Sequence, residues 1–264
     1  MKNSFKISLV IIFVFILSLN LFAQSAQDEK AEAILKRAVE KLGGERYLKV
    51  KNLVSSGYYT PFREGMADLP NSFIDVISYP DKERTEFKQL GNKIVQTNSG
   101  DKGWIFDAST RNLRDQKPNE IENFKRGVRT SIDTLLRGIW RNQDATLVYV
   151  GRREAALGRR NEVVKLTYSD GFAIEYEFSA TDGLPVKALY KGKDDDENES
   201  KEEDRYAQFS EIQGVWVPFI MDHFINGKQT SRINYQTVEI NKNVPDSIFV
   251  KPSDIKELRK DLKL

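Results

Sequence analysis

Two features of the sequence could carry acid–base or nucleophilic chemistry: the lone imidazole of His223, and a set of 39 Asp and Glu residues in a chain of 264 that has no cysteine. His223 falls in the alternating series Val215, Val217, Phe219, Met221, His223, Ile225, the spacing of one face of a strand. On such a face a buried, hydrogen-bonded histidine is expected, and a serine–histidine–aspartate triad would have to recruit His223 from a strand interior. No Gly-x-Ser-x-Gly elbow is present to supply the serine. With one His and no Cys, the ligand sets of most catalytic zinc sites, thiol catalysis and disulfide bridges are all excluded. The segment Asn98-Ser99-Gly100-Asp101-Lys102-Gly103 lacks the spacing of a phosphate loop and reads as a hairpin turn. Paired carboxylates could serve a glycosidase, but so many acids select no particular pair.

Lys and Arg number 41 against 39 acids, so there is no overall bias toward nucleic acid. Hydrophobic residues make up 39% and aromatics 11%, enough to build a core.

Met1 to Lys6 carries two lysines and no acid, Ile7 to Phe22 is mostly apolar, and Leu21-Phe22-Ala23 ends on a small residue. This is the pattern of a secretory signal peptide over residues 1–23. A membrane anchor is the competing reading, but Ser8, Ser18 and Asn20 interrupt a stretch already shorter than the roughly 20 apolar residues of a span. Cleavage after Ala23 removes Lys2 and Lys6 and balances the remaining acids and bases. No Cys follows that could carry a lipid, so the expectation is a soluble, non-lipidated protein of the periplasm.

The remaining elements must position whatever site exists. Asp28 to Leu42 places Ile34, Leu35, Ala38, Val39 and Leu42 on one helical face and stops at Gly43-Gly44. From Val50 the period becomes two, and Lys51–Thr60, Ser72–Tyr79, Glu83–Gln89, Lys93–Thr97, Gly103–Asp107 and Arg111–Arg114 read as an antiparallel meander. Pro118-Asn119-Glu120 starts a second helical region whose apolar face, Ile121, Phe124, Val128, Ile132, Leu135, Leu136 and Ile139, is expected to break near Gly127. Strands resume at Thr146–Val150, Glu162–Tyr168, Phe172–Phe178 and Leu184–Lys191, and Phe172, Ile174, Tyr176 and Phe178 alternate with polar neighbours to define a buried face. The acidic run Asp194–Asp204 reads as a solvated loop, since it lacks the glycine-containing spacing of a calcium loop. Val215–Ile225 and Lys228–Ile240 flank Asn226-Gly227, a hairpin turn.

No linker or repeat divides the chain, so residues 24–264 are expected to form one domain of the α+β class. It would be a single curved antiparallel β-sheet, an unclosed half-barrel, with a central helical plug and an N-terminal amphipathic helix. If helix and sheet do not fill the concavity, an apolar pocket suited to an acyl chain remains.

This order of elements resembles the LolA/LolB-like superfamily of periplasmic lipoprotein carriers and acceptors. Three segments carry the likeness: Tyr79-Pro80-Asp81-Lys82-Glu83-Arg84-Thr85-Glu86-Phe87, Asn98 to Asp107 with its Gly-Asp-Lys-Gly-Trp hairpin, and the closing Val244 to Pro252. The classical carriers place an Arg, implicated in closing a helical lid, just before the proline that matches Pro80; here that residue is Tyr79, so their lid mechanism does not transfer. The resemblance implies a divergent, non-enzymatic, monomeric carrier of lipid or lipoprotein acyl chains, in outer-membrane lipoprotein transport. It would use no cofactor, metal or nucleic acid, receive cargo from an inner-membrane donor and deliver it to an outer-membrane acceptor. The expected cavity residues are Phe124, Val128 and Leu135 from the helices and Phe178, Val217 and Phe219 from the second meander. An envelope interaction module with a filled core, and an exported hydrolase using His223, are the alternatives.

Overall fold

The computed structural model describes residues 28–155, 158–193, 198–256, 258 and 262; the signal-peptide segment and residues 194–197 of the acidic run lie outside them. Helix α1 (28–42) and the short α2 (Glu45–Leu48) precede seven strands: β1 (Asn52–Arg63), β2 (Met66–Ala67), β3 (Asn71–Ser78), β4 (Lys82–Gln89), β5 (Asn92–Ser99), β6 (Lys102–Asp107) and β7 (Asn112–Asp115). Helices α3 (Pro118–Thr130) and α4 (Ile132–Leu136) and a 3₁₀ turn (Ile139–Asn142) follow. The second meander comprises β8 (Ala145–Glu154), β9 (Arg160–Tyr168), β10 (Ala173–Ser179), β11 (Pro185–Lys193), β12 (Glu199–Ile212), β13 (Val215–Ile225) and β14 (Lys228–Ile240).

The strands form one antiparallel sheet in the order β7-β6-β5-β4-β3-β1-β14-β13-β12-β11-β10-β9-β8, with β2 paired to β1 alone. The first and last long strands therefore meet at its centre, while β7 and β8 remain separate edges, and the sheet is an open half-barrel. At the β1–β14 junction the register shifts at Gly57, where a Cβ would stand 2.1 Å from Asn234 O, so only glycine admits the close approach. Asn226 and Gly227 both adopt positive φ, 50° and 79°, as the two-residue hairpin between β13 and β14 requires.

The main core joins the helices to the concave face: Ala31, Leu35, Ala38 and Leu42 of α1 and Leu135, Leu136 and Trp140 of the central helical region pack with Val164, Leu166, Ile174, Tyr176 and Phe178. Tyr176 Oη hydrogen-bonds to the carbonyls of Arg129 and Thr130, seating the end of α3 on β10. On the opposite face the C-terminal segment covers the first meander. Ile248 and Phe249 pack on Val54 and Val76, and Leu258 packs near Trp104 and Phe106. Arg84 donates to Ile248 O at 2.9 Å and Trp104 Nε1 to Phe249 O at 3.1 Å, anchoring this strap.

Two sequence expectations are corrected. The central helix breaks at Ser131, not near Gly127: the Ser131 hydroxyl accepts the backbone N–H of Asp133 and so caps α4, while Gly127 stays within α3. The acidic run is not a loop from Glu199 onward but the start of β12. Its alternate residues Ser200 and Glu202 are buried, Glu202 facing Arg126 of α3 at 3.2 Å, while the outward Glu199 pairs with Lys191 at 2.6 Å. Cross-strand and helix-borne cations cancel the repulsion that a run of acids would otherwise suffer.

Candidate functional site

A cavity of about 490 Å³ lies between the concave faces of β1, β3, β4 and β12–β14 and the helical layer that includes Ser131, Ile132 and Asp133. Its position follows from strand parity: Phe73, Asp75 and Ile77 of β3 and Glu83, Thr85 and Phe87 of β4 are alternate residues turned to the same side. Leu53, Tyr59, Val217, Met221 and Ile233 extend this lining across the sheet.

Aromatic rings line one wall in a continuous edge-to-face series. Tyr59 and Phe87 centroids are 5.9 Å apart, Phe87 and Phe73 6.4 Å, Phe73 and Tyr235 5.9 Å, and Phe219 stands behind Tyr235 at 6.3 Å. Such rings present large apolar area together with electronegative faces.

Polar groups enter at three points. In the helical layer, Asp133 Oδ1 accepts from Tyr47 Oη at 2.7 Å and from Arg137 Nε at 3.0 Å, and the Arg137 guanidinium lies 3.9 Å above the Tyr79 ring. Tyr79 Oη is buried near the same carboxylate, and burial, followed by the negative charge of Asp133, pushes its pKa well up.

On the β12–β13 side, His223 Nδ1 meets Asp204 Oδ1 at 2.7 Å, and Asp204 Oδ2 accepts from Tyr190 Oη at 2.9 Å. His223 Nε2 is turned to Glu202 Oε2 at 3.8 Å rather than toward a hydroxyl. Burial opposes a charged imidazole here, but the hydrogen bond and charge of Asp204, joined by Glu202, prevail and raise its pKa. This geometry braces strands and forms no triad.

On the β3–β4 side, Asp75 accepts from Thr85 Oγ1 at 2.7 Å. Burial and then the neighbouring Glu83 charge raise the Asp75 pKa well above the ordinary carboxyl value, and burial raises Glu83 as well. Among the described residues no group of three His, Cys, Asp or Glu side chains is placed to hold a metal ion.

Of the six residues expected to line a cavity, Val217 does so. Phe219 is half-buried one ring behind the wall, and Leu135 and Phe178 are enclosed in the core at 0% and 1% exposure. Phe124 and Val128 are half-buried on α3 and are not brought to the cavity wall. Sequence reasoning passed over Tyr59, Phe73, Asp75, Glu83 and Phe87, which belong to the first meander. A signal was present on β3, where Asp75 stands at an inward alternate position between Phe73 and Ile77.

No protein-family model matches the sequence, and no curated protein matches it either. The fold does have counterparts. A DUF1329 family protein from Desulfovibrio piger shares it with a TM-score of 0.58 at 13% identity, over 83% of this chain and 97% of that one. A putative outer membrane lipoprotein-sorting protein domain from Vibrio parahaemolyticus gives 0.57 at 11% identity, over 87% and 100%. A LolA superfamily protein from Nitrosomonas europaea gives 0.54 at 15% identity, over 84% and 97%. The architecture is thus that of open half-barrels which enclose a concavity. More specifically, it is a divergent LolA-like fold.

Proposed function

We propose that the protein is a non-enzymatic periplasmic carrier that holds the acyl chain of a lipid or lipoprotein in the half-barrel cavity, taking it from an inner-membrane donor and passing it to an outer-membrane acceptor as a monomer. The observation that carries this reading is the cavity itself. At about 490 Å³ it falls within the range of roughly 300–1,000 Å³ typical of small-molecule sites, and aliphatic and aromatic side chains dominate its wall. A filled core, as an interaction module would have, leaves no such space.

The driving force is burial of apolar surface, about 0.8 kcal/mol for each methylene transferred from water. The likeness to a protein described as lipoprotein-sorting supports the direction of the reading, and the signal-peptide pattern supports its compartment. Among the described residues no helix is long and apolar enough to cross a membrane.

The test is organic extraction of protein purified from its native envelope, followed by mass spectrometry of the extract. A stoichiometric amphiphile is expected. Protein that carries none and takes up no acyl probe would show the reading to be wrong.

A further inference from the structure

The cavity is not electrically balanced. Three of its carboxylates have basic side chains beside them: Asp133 has Arg137 at 3.0 Å, Asp204 has the imidazole of His223 at 2.7 Å and Asp222 has Arg232 at 2.6 Å. Asp75 and Glu83 have no cationic partner among the described residues. They sit on neighbouring strands at diagonal positions on the cavity side, since Asp75 pairs with Thr85 and Ile77 with Glu83, a separation of roughly 7–8 Å between backbones. Asp75 is only 6% exposed. A buried carboxylate without a countercharge is costly, and here the buried Asp75 and the half-buried Glu83 face one cavity.

The surroundings point to what would offset that cost. The rings of Tyr59, Phe87, Phe73 and Tyr235 adjoin the same two strands, and aromatic faces beside carboxylates are the combination that attracts an alkylated or free ammonium. A carboxylate or sulfate head would instead meet like charge.

We propose that the Asp75–Glu83 end of the cavity receives the ammonium group of an amphiphile whose hydrocarbon chain occupies the apolar remainder. The inference rests on the carrier reading above and specifies its ligand: the head group is cationic at nitrogen, either a quaternary ammonium or a primary amine.

Calorimetric titration of the full chain with four probes of one chain length, dodecyltrimethylammonium, dodecylammonium, dodecanol and dodecanoate, tests it. Both ammonium probes are expected to bind at least tenfold tighter than dodecanoate, with dodecanol between. A preference for the trimethylated probe assigns recognition chiefly to the rings, and a preference for the primary amine assigns it to the carboxylates. In Asp75→Asn and Glu83→Gln the advantage of the ammonium probes over dodecanoate should shrink at least threefold. Should a variant fail to fold, the head-group comparison on the unaltered chain decides. Equal affinity for ammonium and carboxylate heads, or a preference undiminished in both variants, overturns the proposal and leaves the carrier function standing. Failure of all four probes to bind overturns both.

Discussion

The guanidinium of Arg137 lies 3.9 Å above the ring of Tyr79, joining the end of α4 to the end of β3 across the mouth of the helical layer. The cation that covers the Tyr79 ring is thus supplied from the helical side. Arg137 also bonds Asp133 and donates to Val50 O at 3.1 Å, so one side chain ties the helix to itself, to the turn after α2 and to the sheet.

Removing that tie should loosen the helical layer. Arg137→Ala leaves Asp133 without its cation in a largely buried setting, and a loss of about 2–4 kcal/mol is expected from urea unfolding. Arg137→Lys keeps the charge but loses the planar stacking and should fall between the two. A loss below about 0.5 kcal/mol in the alanine variant would show that the layer is held by its apolar contacts alone.

The His223–Asp204 pair makes stability depend on pH with a definite sign. Its raised pKa means that the folded state holds the proton more tightly than the unfolded state, whose imidazole titrates near 6.5. The stabilisation is therefore fully present below about pH 6.5 and is lost as pH rises through the higher folded value. Unfolding of the unaltered protein and of His223→Gln at several pH values should show the advantage of the unaltered protein shrinking as pH rises. A difference that does not change with pH would refute the assignment.

Asp75 should behave in the opposite sense to a salt-bridged acid. Its folded pKa lies above its unfolded one, chiefly through burial, so its contribution favours the folded state at low pH and is lost as pH rises through the folded value. Asp75→Asn, which keeps an acceptor for Thr85, is expected to be more stable than the unaltered protein near pH 7, with the gain vanishing below the ordinary carboxyl range near 3.9. Thermal unfolding at pH 7 and at pH 3 is the check, and a variant less stable at pH 7 would contradict the account.

Acyl binding should respond to position rather than to apolarity alone. Phe219→Glu places a charge behind Tyr235, against the cavity wall, and should weaken binding of a fluorescent acyl probe at least tenfold. Phe124→Glu, on the half-buried face of α3 away from the wall, should change it less than threefold. Circular dichroism confirms that each variant is folded. Equal losses would mean that the chain lies along α3 instead.

Much of the architecture was legible in the residues. The helical spacing of Leu35, Ala38 and Leu42 marked α1, the alternation of Ile174, Tyr176 and Phe178 marked the buried face of β10, and Asn226-Gly227 marked a hairpin, because helix, strand and turn preferences act over a few neighbouring residues. Face assignment was local too: Val217 lies in the cavity lining and Phe219 packs against the core on the same strand. What the sequence could not say is how far an inward side chain stands from whatever faces it. Leu135 and Phe178 meet helix and sheet directly and become core, whereas Tyr59, Phe73 and Asp75, on strands near the β1–β14 junction, face a space that the helices do not fill. The break at Ser131 and the inward turn of Glu202 were equally hidden, since the first depends on a hydroxyl finding one backbone N–H and the second on Arg126 arriving from a helix 76 residues earlier in the chain. Local patterns determined which way each residue points; the distances across the half-barrel, set only when β1 pairs with β14 and the helices dock, decided which of them line the cavity.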